Sequence, residues 1–135
     1  MAHTLSGFTR NCYADLLEAY NRAWNSPDVA CHADAVAKAV SSPQPRHWIS
    51  PSEAARNIQQ LERGRKPYVI RGTNKYYALM SVYEAYKRLR ASRFRSESIS
   101  FVVAFACLEP APRFFLSKDR ARRIIEKLRN GEYVL

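Results

Sequence analysis

The chain has 135 residues, 47% of them hydrophobic, and a formal net charge of +10. It is long enough to bury one core, and its most apolar run, residues 99–108, falls far short of the ~20 residues that span a bilayer. Three widely spaced cysteines and a start with no basic-then-apolar pattern argue against a disulfide framework and an export signal, so a cytoplasmic protein with reduced thiols is expected.

In chain order, Phe8, Cys12, Tyr13, Leu16, Leu17, Tyr20 and Trp24 recur at helical spacing and predict a first helix over 8–24. Asn25-Ser26-Pro27-Asp28 breaks it. Ser26 as N-cap and Pro27 at the first helical position predict a second helix to about Val40, with Val29, Ala33, Val36, Ala37 and Val40 inward. Pro43 and Pro45 then hold an extended loop. Ser50, Pro51 and Glu53 form a capping box for a third helix over 51–63, whose apolar stripe is Ala54, Ile58 and Leu61 and whose stop is Gly64.

Residues 65–74 read as a basic linker in which Tyr68, Val69 and Ile70 are extended. A fourth helix is expected over 75–91, running into KRLRASRFR at 87–95, which has five positive charges and no acid. Residues 98–108, SISFVVAFACL, taken alone resemble a buried strand. A last helix is expected over 118–130, capped by Ser117 and stopped by Gly131, before a short tail.

The chain contains one stretch twice. Residues 43–64 and 110–131 are identical at nine of twenty-two positions, including both prolines, Arg46/Arg113, Ser50/Ser117, Arg56/Arg123 and Gly64/Gly131. Upstream, Glu-Ala-Tyr at 18–20 recurs at 84–86, with Arg22 matched by Arg88. The register aligns 98–108 with the second helix and so predicts a fully buried helix there rather than a strand. The expected fold is all-α: two tandem three-helix units, 8–64 and 75–131, packed as a pseudo-symmetric, helix-turn-helix-like pair within one compact domain spanning 1–135.

No glycine-rich phosphate loop or nucleophile elbow is present, and His3, His32 and His47 have no obvious acid partner, so no catalytic residue is expected. Neither a metal nor another cofactor is expected, since no cysteine or histidine pair has ligand spacing, and no small-molecule substrate is evident. The charge points elsewhere. Residues 1–45 hold three basic and four acidic side chains, whereas 46–135 hold nineteen and eight, which suggests a polyanion before a membrane.

In helix-turn-helix units the third helix enters the major groove, although the loop here, residues 41–49, is longer than usual. The outward faces of the third and last helices carry Arg56, Gln59 and Arg63, and Arg120, Arg123 and Lys127, side-chain types suited to base edges. Lys87, Arg88, Arg90, Arg93 and Arg95 are expected to track phosphates. Arg46 and Arg113 brace their loops, and the pairs His47-Trp48 and Phe114-Phe115 belong to the core. The expectation is a non-enzymatic nucleic-acid-binding protein, for duplex DNA before RNA. The alternative is an interaction module docking an acidic partner protein.

The string Pro110-Ala111-Pro112-Arg113-Phe114-Phe115-Leu116-Ser117, followed by Ala121 and Ile125, resembles a segment of short, basic, uncharacterised bacterial proteins in which a PAPRFY-like motif precedes an S-x-x-x-A-x-x-x-I helix. Gln44, His47 and Trp48 depart from it in the first copy. The resemblance implies a bacterial cytosolic origin and carries no functional residue.

Overall fold

The computed structural model describes residues 3–135, with side chains from Leu5 onward. It is all-helical apart from one tiny strand pair. The helices are α1 (Gly7–Trp24), α2 (His32–Ser41), α3 (Pro51–Glu62), α4 (Asn74–Ser92), α5 (Ile99–Cys107) and α6 (Lys118–Arg129). The strands β1 (His3–Thr4) and β2 (Tyr133–Val134) pair in parallel, so the tail is anchored to the start of the chain. No described helix is long and apolar enough to cross a membrane.

The chain forms two compact units: residues 1–44 with 112–135, and residues 45–111. In the first, α1 packs on α2 and α6 lies against both. In the second, α4 packs on α5 and α3 joins them. Helix α3 therefore packs with the two helices that follow it, and α6 with the first two helices of the chain. Both crossing points fall within a Pro-x-Pro loop, between Gln44 and Pro45 and between Ala111 and Pro112. Two prolines fix φ and bias the residue before each toward extended backbone, which favours a chain that travels on over one that turns back.

Local signals explain the boundaries. Ser50 Oγ accepts the Glu53 N–H at 3.3 Å and Ser117 Oγ accepts the Arg120 N–H at 3.1 Å. Gly64 and Gly131 lie at φ 72° and 76°, where L-residues are strained, and let Arg65 N–H reach Gln60 O and Glu132 N–H reach Lys127 O, both at 2.9 Å. Only half of the predicted capping box forms, because the Glu53 carboxylate turns to Lys75 at 2.6 Å.

Helix α2 starts at His32, well after the predicted Ser26 cap. Ser26 and Lys38 both bind the Asp28 carboxylate, which holds 26–28 as a turn, and Asp34 accepts the Ala30 N–H just before the helix. Residues 99–107 are helical, as the repeat register predicts, and Ser98 Oγ caps them by accepting the Phe101 N–H. The helix is not fully buried. Val102, Val103, Ala106 and Cys107 face the core, while Phe101, Phe105 and Leu108 are exposed.

Each unit has its own buried cluster. In the second, Ile58, Leu79, Val82, Tyr86 and Val103 pack around Ala54, Ala85 and Ala106. In the first, Leu16, Tyr20, Val36, Phe114 and Ile125 are buried together with Ala19, Ala35, Ala39 and Ala121. The small residues lie on facing helices, where they permit close approach. The loops join in similarly: His47 N–H donates to Cys107 O at 3.0 Å, and Phe114 N–H donates to Val40 O at 3.1 Å.

Candidate nucleic-acid interface

The second unit carries most of the charge, with twelve basic and five acidic side chains, net +7. On α3, Arg56 is exposed and its guanidinium lies 4.8 Å from the Tyr68 ring centroid. Gln59 is half-buried, and Arg63 is exposed at the helix end. Between these helical positions sits Asn57, which sequence reasoning overlooked. It is fully buried; its Oδ1 accepts the N–H groups of Tyr68 (2.7 Å) and Val69 (3.1 Å), and its Nδ2 donates to Glu53 O. One side chain thus fastens the basic linker to α3. In the other repeat the matched position is Ile124, an apolar core residue.

The run 87–95 is less uniform than its charge suggests. Glu84 pairs with Lys87 at 2.9 Å and Glu109 pairs with Arg88 at 2.9 Å, so carboxylates from outside the run reach two of its five cations. Arg90 is half-buried. It donates to Tyr86 Oη and to the carbonyls of Phe94 and Glu97, closing the C-terminal end of α4. Arg93 lies over the Phe94 ring and Arg95 donates to Ala91 O, both exposed.

In the first unit, Arg120, Arg123 and Lys127 are all exposed on α6. The Arg120 charge lies near Tyr13, Arg123 Nε donates to Asp119 O at 3.4 Å, and Lys127 Nζ lies 5.4 Å from the Tyr133 ring centroid. Arg122, between them, is flanked by Asp119 and Glu126. Arg46 and Arg113 are both half-buried, and the Arg113 guanidinium stacks over Phe115 at 4.7 Å.

The basic stretch with the least internal compensation is residues 63–83, which contain five cations and no acid. Lys75 is taken by Glu53, but Arg63, Arg65, Lys66 and Arg71 are exposed and form no ion pair among the described residues. Their signal was visible in the sequence as an acid-free, glycine-punctuated linker. Its fastening by Asn57 was not.

The titratable groups inside the units serve packing. Tyr20 Oη meets His32 Nδ1 at 2.8 Å and accepts from Arg129 at 3.0 Å, while His32 Nε2 lies 3.7 Å from Glu126. This brings an acid near His32, yet the Tyr20 hydroxyl belongs to a ring only 2% exposed and ties α1, α2 and α6 together. In the second unit Tyr83 donates to Glu62 at 3.0 Å; burial, and then that carboxylate, push its pKa up to about 12. Burial also pushes the Cys107 thiol up to about 12, leaving it a neutral core group.

His47 is buried, with Nε2 2.9 Å from Ser81 Oγ, and burial lowers its pKa against the smaller opposing effect of nearby Glu109 and Cys107 backbone. Below the ordinary value of 6.5 the unfolded chain takes up a proton that the folded chain resists, so stability should fall on acidification from pH 7 to pH 5. His47→Phe, which installs the ring found at the matched position Phe114, should shrink that pH difference in urea denaturation. An unchanged difference would show that His47 does not cause it.

The chain matches no known protein family, no curated protein and no solved structure.

Proposed function

We propose that the chain is a non-enzymatic nucleic-acid-binding protein, for duplex DNA before RNA, built as a duplicated helical unit whose third helices, α3 and α6, both present arginine. The observation that carries this reading is the set of uncompensated cations at Arg63, Arg65, Lys66 and Arg71, beside Arg56 on α3. Uncompensated charge at fixed positions is what phosphate neutralisation requires, since the gain comes from counterions released by the nucleic acid. Arg93, Arg95, Arg120, Arg123 and Lys127 extend the exposed basic set, with Gln59 beside Arg56 and Arg63 on α3; Lys87 and Arg88 contribute once their surface ion pairs open, pairs worth about 0–1 kcal/mol. Arg90 shapes the end of α4. Titration of a labelled random duplex tests the reading, and absence of binding at low salt overturns it.

A second reading, docking of an acidic partner protein, is favoured by one feature. Exposed Phe101 and Phe105 cluster with half-buried Phe94, ring centroids 5.0–5.4 Å apart, with Arg93 over Phe94. Contiguous exposed apolar patches on soluble domains mark interaction sites. The paired substitution Phe101→Ser and Phe105→Ser should leave duplex affinity unchanged under the first reading. A loss of duplex affinity without unfolding would place the aromatic cluster in the nucleic-acid site instead.

A further inference from the structure

The linker fastened by Asn57 forms a cleft as well as a charged edge. Tyr68 and Ile70 stand 59% and 76% exposed, although the N–H groups of Tyr68 and Val69 are both held by Asn57. The far end of the loop is fixed too: Gly72 turns at φ 87°, and Thr73 Oγ1 donates to Ile70 O while accepting the Tyr76 N–H. The apolar side chains therefore project from an ordered loop, where solvent exposure is unfavourable for both. Beside them lies a cleft of about 440 Å³, whose walls include Lys66, Tyr68, Ile70, Arg71 and Tyr76. It holds two tyrosines, two cations and no carboxylate. Tyr68 also borders an adjoining hollow, where the Arg56 guanidinium lies 4.8 Å from its ring centroid and the one carboxylate, Glu53, is paired with Lys75.

An aromatic wall with two cations and no carboxylate beside it suits a ligand that is flat and apolar in the middle and anionic at its edges. We infer that this cleft binds an unpaired nucleotide of a single-stranded nucleic acid, the base stacking on Tyr68 against Ile70, with its flanking phosphates at Lys66 and Arg71. Every base has a π-face, so such a site discriminates strandedness rather than sequence. A paired base in a duplex keeps its faces covered by its neighbours and cannot enter. The inference rests on the nucleic-acid reading and adds a second mode to it: the exposed cations hold any strand, and the cleft favours a strand whose bases are free.

The test compares an oligothymidylate of about twenty nucleotides with a random duplex of similar charge, using the full chain. Tyr68→Ala should weaken oligothymidylate binding about tenfold more than duplex binding, and Tyr68→Phe, which keeps the ring, should not. Because Tyr68 is exposed and its backbone N–H makes the bond to Asn57, neither substitution removes a packing contact of the core. The double variant Lys66→Glu and Arg71→Glu should lower the log–log salt slope for the single strand by about 1.4, two phosphate contacts' worth. Equal loss on both probes, or no loss on either while the wild type binds duplex, would overturn the cleft assignment and leave the polyanion reading standing. If the wild type binds neither probe, both fail.

Discussion

Replacing Arg63, Arg65, Lys66 and Arg71 together with glutamate should weaken duplex binding by at least about a hundredfold at low salt and flatten its salt dependence by about 3.6 in log–log slope. The magnitude follows from removing four phosphate contacts, each releasing about 0.9 counterion from B-form DNA, and from adding repulsion at the same places. The fold should be indifferent. All four side chains are exposed and form no ion pair among the described residues, and the loop is held by backbone bonds to Asn57 and Thr73. A comparison is the pair Lys87→Glu and Arg88→Glu, read per charge reversed, whose wild-type charges are partly spent on Glu84 and Glu109. Its loss per charge should be much smaller, and an equal or larger loss per charge would move the phosphate contacts to the end of α4. Anisotropy titrations give the affinities, and far-ultraviolet circular dichroism checks the fold.

Truncating Ile58 to Ala should cost about 2–5 kcal/mol of stability, and truncating Ile125 to Ala should cost about the same. Both side chains are fully buried, Ile58 on α3 and Ile125 on α6, each in its own unit. The loss combines the transfer free energy of the removed atoms with the cavity left behind, and the surrounding alanines have no atoms to spare to fill it. Against a domain stability of about 5–15 kcal/mol, either loss is a large fraction of the total. Urea denaturation measures both. A cost below about 1 kcal/mol at either site would mean that the helix carrying it is not seated on its neighbours as described.

Much of the secondary structure was legible, because apolar side chains at spacings of three and four have only one way to share a face. The serine caps, the proline at position 51 and the glycine stops fixed the ends of α3 and α6 to within a residue. Helix α2 was misplaced at its start because Ser26 and Asp28 have cap chemistry, and only the fold reveals that Lys38 claims them. Helix α5 could be recognised through its repeat partner, yet a run apolar on every side gives no face, so the exposure of Phe101 and Phe105 was hidden. Periodicity also tells which side of a helix is buried without saying against what. The exchange of α3 and α6 between units therefore left no trace beyond the prolines at the crossing points.

The candidate site divides in the same way. Charge is additive along a chain, so the basic bias was plain. Compensation is spatial, so Glu84, Glu109 and the carbonyls around Arg90 could not be assigned from 87–95 alone. Asn57 was the least legible residue, since a polar side chain on a predicted helix reads as surface until the loop it holds is seen.

The most direct test of the central claim is the affinity of the pure protein for a random duplex of about thirty base pairs, measured across salt from about 50 to 200 mM. Micromolar or tighter binding at the low end that falls by about 10³ or more across the range is the predicted result, as expected when six or more phosphates are neutralised. Binding absent at 50 mM, or insensitive to salt, would contradict it and assign the exposed cations to a partner other than nucleic acid.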